Sequence, residues 1–287
     1  MKTKAAMCVL AAVAVVGLMI FAGCSGDSDN PVPTTPVRVM LVDAPAHQIE
    51  ELHVHFDSVE LVRSSAPVQV ILDENQLPDD VDVIAAGETP VILGTPNVPV
   101  GTYTWSNLGI NGDSPVNRVV TQGGVSEPVQ YVRPTASTAN LARRYQLQAG
   151  ADVTLLFNFA AAASLRETSE GWVLRPQVFS RFVEGEPTFG ELSGVVSEVG
   201  GGAPAIPPGG RLGVFLRTES RNELVDIAEV DPATGAFRMP SVLTGSYRVI
   251  VQLADLAWGP IGEPLFEDRD VRVGADQVTN LDIEVDL

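Results

Sequence analysis

The sequence predicts an all-β protein, arranged as two tandem β-sandwich domains behind a cleaved export signal. Three observations carry that expectation. The apolar segments are short, rich in Val, Leu, Ile and Thr, and broken by Gly or Pro roughly every 8 to 15 residues, which is the spacing of sandwich strands and turns. The chain of 287 residues holds 26 Gly and 21 Pro, and after the leader no window of about 11 residues sustains a helical apolar period. The leader itself places Lys2 and Lys4 ahead of an uncharged apolar run over residues 5–22, the make-up of a secretory signal.

The leader ends in Phe21-Ala22-Gly23-Cys24, which resembles the lipobox of bacterial lipoproteins, with Phe21 where that family prefers an aliphatic residue. The resemblance implies cleavage after residue 23, a diacylglyceryl group on the Cys24 thiol and acylation of the new amino terminus. Two or more acyl chains make a stable anchor where one is only marginal. Residues 1–23 are then the lipoprotein signal peptide. Cys8 lies inside it, so Cys24 is left without a cysteine partner for a disulfide. Ser25 after the cysteine matches the family pattern sent to the outer membrane or cell surface. The competing reading is an uncut N-terminal anchor, since the run is near the lower length limit for a spanning helix.

Charge excludes one class of function. Residues 1–23 hold Lys2 and Lys4 and no acid, so the 18 basic residues fall to 16 against 36 acidic ones, and the net charge moves from -18 to -20. Such a surface repels phosphate backbones and anionic head groups, so no nucleic-acid partner is expected. All 16 remaining cations are Arg. This composition fits both a saline habitat and a GC-rich genome.

Residues 24–36 read as the acylated cysteine and a flexible, Pro-containing tether with too little apolar surface to build a core. Val37, Val39 and Leu41 then alternate with Arg38 and Met40 as a first strand, ended by Asp43-Ala44-Pro45. Leu52, Val54 and Phe56 form one face of the next, and the apolar set changes parity to Val59 and Leu61, which predicts a bulge near Asp57. Gly101 introduces a strand with Tyr103 and Trp105 on one face. Val153, Leu155, Phe157 and Phe159 alternate with Thr154, Leu156 and Asn158 as a half-buried strand. Between Gly109 and Leu141 the connections are long and Gly-rich. Their Asn111-Gly112-Asp113-Ser114 turn makes Asp113 a candidate ligand-binding residue, because exposed loops on a rigid scaffold are where binding usually resides.

Several of these stretches resemble a known family. Val39 to Pro45, Val54 to Leu61, Val98 to Thr104, Asn158 to Leu165 and Gly171 to Pro176 are similar to the domain of unknown function 4382 of exported proteins, over residues 37–184. The family has no established activity to carry over. Its members often have Asp at the positions of Asn158 and Ala160 and Lys at that of Ala163, so a site built from those charges is missing here. Glu184-Gly185-Glu186-Pro187 marks a boundary. Beyond it Gly190 to Val196, Leu212 to Leu216, Asp231 to Phe237, Leu243 to Val249 and the ending Val271 to Val285 resemble a carboxypeptidase regulatory-like domain. That resemblance implies a small transthyretin-like sandwich over residues 190–287. The two halves share one echo, Val-x-x-Gly-[Thr/Ser]-Tyr, at Val98–Tyr103 and Val242–Tyr247. It points to the same kind of strand start in both.

The sequence contains no G-x-S-x-G elbow, no H-E-x-x-H, no Walker loop and no dinucleotide glycine fingerprint, so neither an enzyme nor a cofactor is expected. His53 and His55 share a strand face with Asp57, which makes them metal candidates together with His47 or Asp57; the bland alternative is a solvent-facing polar surface. The acidic groups Asp79-Asp80-Asp82 and Glu267-Asp268-Asp270 lack the spacing of a calcium loop. Among the tryptophans, Trp105 and Trp172 read as core. Trp258, in a loop, is the better candidate of the three for an aromatic platform for a sugar, although core packing is the favoured reading for it too. The expected function is a membrane-anchored envelope lipoprotein that acts as a non-catalytic binding or structural module for a polysaccharide or envelope protein. The alternative is an accessory subunit that docks or supports an envelope enzyme or transport complex.

Overall fold

The computed structural model describes residues 32–64, 67–132, 144–255, 258–259 and 261–287. The leader, Cys24 and the first part of the tether lie outside the described residues.

Among the described residues the regular structure is almost all strand. Its first half runs β1 (Thr34–Pro36), β2 (Arg38–Ala44), β3 (Ile49–Val54), β4 (Phe56–Arg63), β5 (Val68–Asp73), β6 (Val81–Asp82), α1 (Val83–Glu88), β7 (Val91–Gly94), β8 (Asn97–Pro99), β9 (Gly101–Ile110), β10 (Arg118–Thr121), β11 (Ser126–Tyr131), β12 (Tyr145–Leu147), β13 (Val153–Ala160), α2 (Ala161–Ser164), β14 (Leu165–Thr168), β15 (Gly171–Leu174) and β16 (Val178–Glu184). The second half runs β17 (Phe189–Glu198), β18 (Arg211–Thr218), β19 (Leu224–Glu229), β20 (Ala236–Leu243), β21 (Gly245–Ala254), β22 (Phe266–Val273), β23 (Val278–Asn280) and β24 (Ile283–Val285).

Three sheets and the β1-β8 ribbon surround the first core, in the orders β14-β15-β11-β10-β3-β6, β12-β9-β4-β5 and β16-β13-β2-β7. This half is therefore more elaborate than two facing sheets. The bulge expected near Asp57 is present, as a register shift between Phe56 and Ser58 against β9. There the chain passes from the sheet of β3 to that of β4, and the change of parity keeps Leu52, Val54, Phe56, Val59 and Leu61 in one core. A second shift, opposite Val62 and Arg63, separates Tyr103 from Trp105. Tyr103 is fully buried while Trp105 is only half-buried, so the two do not share the core face as expected.

The half-buried reading of Val153 to Phe159 is also corrected. All eight residues of β13 are buried, because it lies between β16 and β2 and the second half of the chain covers its other face. A strand covered on both faces needs apolar residues at both parities, as Leu156 beside Leu155 supplies. The second half is simpler. One sheet (β20-β17-β23, with β24 also on β17) and another (β19-β18-β21-β22) share a core of Leu192, Val196, Val214, Met239, Val249 and their neighbours.

The sequence echo corresponds to a repeated structural device. Gly101 and Gly245 have φ of 152° and 157°, backbone that glycine adopts most cheaply. Two residues on, the Tyr103 hydroxyl donates to the Pro99 carbonyl at 2.6 Å, and the Tyr247 hydroxyl donates to the Leu243 carbonyl at 2.6 Å. Each buried ring thereby satisfies its polar tip on the strand just before it.

Candidate functional site

The outward face of β2, β13 and α2 is apolar, and the second half of the chain packs on it. Met40, Val42 and Leu156 meet Leu243. Ala160 and Ala163 meet Phe215, Ile227, Ile250, Ala254 and Trp258. Buried Asp43 holds the start of α2, its Oδ1 accepting from the Ala161 amide at 2.8 Å, and Ser164 ties the turn to the Ala160 carbonyl at 2.7 Å. Asn158, Ala160 and Ala163 are 7%, 0% and 9% exposed. The absence of charge at these three positions has a physical reason, since an ion there would be desolvated under the second half.

Polar bonds cross the same seam. The Ser241 hydroxyl donates to the Gly87 carbonyl at 2.5 Å. Arg238 joins Glu88 to Glu191, and its hydrogen bonds, ahead of its charge, hold the Glu191 carboxyl below the usual carboxylate range. Arg211 donates to the Ala162 carbonyl at 3.0 Å and lies 3.6 Å from Glu229, whose carboxyl burial pushes upward. Asp226 is 2% exposed. Burial raises its carboxyl to about 6, against the pull of Asn158, the Ile227 amide and Arg181.

Trp258 is not an exposed platform. It is 7% exposed, its indole N–H donates to the Ala162 carbonyl at 3.2 Å, and its ring meets Phe215 edge-on at 6.1 Å beneath the Arg211 guanidinium, 5.5 Å from the ring centre. The Asp255 turn aims it inward, with the Trp258 amide donating to the Asp255 carbonyl at 3.0 Å and the Gly259 amide to its carboxylate at 2.8 Å. The seam needed a large apolar wedge at this point, and the loop provides it. Trp172 is buried, as expected.

Asp113 is exposed, at the tip of a turn that Asn117 fixes. The Asn117 side chain donates to the Asn111 carbonyl at 2.7 Å and accepts from the His55 amide at 2.9 Å. The histidines face different partners. His53 lies 2.7 Å from each of Glu51 and Asp80, His55 2.9 Å from the Ser114 hydroxyl, and His47 3.3 Å from Asp231 of the second half. Among the described residues no group of three His, Cys, Asp or Glu side chains is placed to hold a metal ion. The acidic clusters are structural in the same way. Asp82 caps α1 through the Ile84 amide at 3.1 Å, Asp80 faces Arg118 at 3.4 Å, and Glu267 pairs with Arg248 and Arg269.

Two open cavities flank the seam, and sequence reasoning found neither. The larger, about 660 Å³, is bordered by His47, Glu191, Asp231, Arg238 and Asp282. The other, about 410 Å³, has Tyr145, Arg181 and Phe182 on one wall and Thr218, Arg221 and Glu223 on the other. Its walls come from β12 and β16 on one side and from the end of β18 and the turn before β19 on the other, segments far apart in sequence, so no local motif announces it.

Residues 34–176 match the family model described as "Domain of unknown function (DUF4382)". Over this segment the chain is similar to that family. The match covers the β1 to β15 region and ends before β16, close to the 37–184 span read from the motifs. No curated protein matches the chain. Among solved structures, the Bacillus anthracis TIE protein is similar at 11% identity and a TM-score of 0.22, over 88% of this chain and 34% of that one; this chain thus spans about a third of its length. GBS52, the minor pilin of Streptococcus agalactiae, is similar at 12% identity and a TM-score of 0.24, over 87% of this chain and 95% of that one. BcpA, the major pilin subunit of Bacillus cereus, is similar at 8% identity and a TM-score of 0.25, over 88% of this chain and 70% of that one.

Proposed function

We propose that the protein is a non-catalytic module of the cell envelope, held at a membrane by lipid on Cys24, in which a DUF4382-like domain and a carboxypeptidase regulatory-like sandwich over residues 190–287 act together as one rigid binding or structural body. The observation that carries this reading is the seam. Apolar side chains of both halves fill it, and Arg211, Arg238 and His47 are spent on bonds across it rather than grouped as nucleophile, base and orienting partner. Among the described residues no helix is long and apolar enough to cross a membrane. The anchor in this reading rests on Phe21-Ala22-Gly23-Cys24.

Intact-mass spectrometry of protein taken from membranes tests the anchor. A chain that starts at Cys24 with added acyl mass, lost in Cys24→Ala, is expected; an unmodified Cys24 refutes it. A glycan array together with a pull-down from envelope extract tests the binding role, and silence in both counts against it. One feature favours the accessory-subunit alternative. β5 is the edge of its sheet and exposes Val68 and Val70 at 54% and 52%, which suits pairing with a partner. Stoichiometric co-purification of an enzyme from solubilised membranes would select that reading.

A further inference from the structure

The smaller seam cavity combines an aromatic wall with paired charged side chains. Its volume of about 410 Å³ falls within the roughly 300–1,000 Å³ of small-molecule sites, which form preferentially where domains meet. One wall is aromatic and fixed. Phe182 leans on fully buried Tyr103 at 6.2 Å and carries Tyr145 stacked on it at 4.5 Å and 20°. Arg181 stands beside them on the same wall.

The opposite wall is equally ordered, although it is a turn. Asn222 sits at φ 58°; its carbonyl accepts from Arg217 at 2.9 Å and its side chain accepts from Arg248 at 3.0 Å. The Glu223 amide donates to the Thr218 hydroxyl at 3.1 Å. Two arginines thus clamp the tip that presents Thr218, Arg221 and Glu223 to the cavity, and a wall ordered before binding costs little to order on binding.

Charge selects the ligand class. The lining holds Arg181 and Arg221 against Glu184 and Glu223, so its formal charges cancel within a chain of net charge -18. The surrounding field repels a polyanion, and a neutral lining offers no excess of cations to overcome that. Planar guanidinium and carboxylate groups with two or more hydrogen-bonding atoms each suit the adjacent hydroxyls of a sugar ring, while an aromatic wall suits its C–H face. We propose that this cavity binds a neutral pyranose unit of a polysaccharide, with Tyr145, backed by Phe182, against the ring and Arg181, Arg221, Glu223 and Thr218 on its hydroxyls. The proposal rests on the binding-module reading above and names where and what that module binds.

The test is calorimetric titration of the soluble chain from residue 25 with cellohexaose, maltohexaose and mannohexaose, and with hexagalacturonate as the charged probe. Saturable binding of at least one neutral hexamer is expected, weaker binding of hexagalacturonate, and a loss of about ten-fold in affinity in Arg221→Ala, the size expected for one charge-assisted hydrogen bond. Arg221 is exposed, so that variant should melt with the wild type. Tyr145→Ala, checked for an unchanged melting curve, should lose at least as much. No binding by any neutral hexamer, equal or tighter binding of hexagalacturonate, or affinity untouched by both substitutions overturns the proposal. A hit on the glycan array that neither substitution alters would leave the module reading standing and remove this cavity from it.

Discussion

Asp226 gives the sharpest quantitative expectation. It sits in β19 within Leu224-Val225-Asp226-Ile227-Ala228, where Val225, Ile227 and Ala228 are buried. The groups facing it are Asn158 of β13, Arg181 of β16 and Tyr247 of β21, besides its own neighbour Ile227, whose amide donates to it at 2.8 Å. Burial lifts its carboxyl from 3.8 to about 6, a difference of about 2 pH units, which corresponds to about 3 kcal/mol between the two protonation states. Its pKa is raised on folding, so the native state binds the proton more tightly than the unfolded state. Its contribution to stability is therefore best below about pH 4, falls as pH rises from about 4 to about 6, and stays at its lowest above that. Asp226→Asn keeps the shape and the acceptor for the Ile227 amide but cannot ionise. Urea denaturation followed by tryptophan fluorescence, at closely spaced pH values from 4 to 8, should show the variant near wild-type stability at pH 4 and more stable by up to about 3 kcal/mol at pH 8. The difference should open between pH 4 and 6. A difference independent of pH, or a variant less stable at pH 8 than at pH 4 relative to wild type, would refute the argument.

Other substitutions address different parts of the molecule. Trp258→Ala should cost about 3–5 kcal/mol, the range for large aromatic deletions in cores, and should abolish the tryptophan signal that reports the seam; a loss below about 1 kcal/mol would mean that the ring is not part of the packing. For His53, burial opposes the charged form, but hydrogen bonds to Glu51 and Asp80 prevail and raise its pKa above 6.5. Its stabilising effect is accordingly present at and below pH 6.5 and fades as pH rises through the folded value. An NMR titration of its ring protons should give a midpoint above 6.5 that falls in Asp80→Asn, and a midpoint at or below 6.5 in the wild type would contradict the geometry.

Much of the fold was legible because each half obeys simple rules. The alternation in β2 and β4, the parity change at Asp57 and the Gly-x-Tyr echo are local patterns with local causes. Apart from the register shift that separates Tyr103 from Trp105, the main misses share one cause, the second half resting on the first. β13 reads as alternating because Thr154 and Asn158 are polar, yet both are buried. Trp258 reads as the better platform candidate because Gly259 and a turn surround it, yet that turn delivers the ring into the seam. The carboxylates of Asp80, Asp82 and Glu267 lack the spacing of a calcium loop in sequence, and the fold shows the arginines and amide groups that engage them. The cavity walls joined by Tyr145 and Arg221 were invisible for the same reason, since proximity across a seam leaves no spacing to read.

The apolar outer face of β2, β13 and α2 also bears on how the protein is made. Synthesis proceeds from the amino terminus, so the first half emerges first, with Met40, Val42, Leu156, Ala160 and Ala163 still uncovered. Their cover arrives only with Phe215, Leu243 and Trp258. Until then the new chain carries a sticky patch of the kind that drives aggregation. Rapid arrival of the second half, or a chaperone that holds this face during the delay, suits the architecture, and a truncation ending near residue 184 should accumulate as insoluble material rather than as a smaller folded protein.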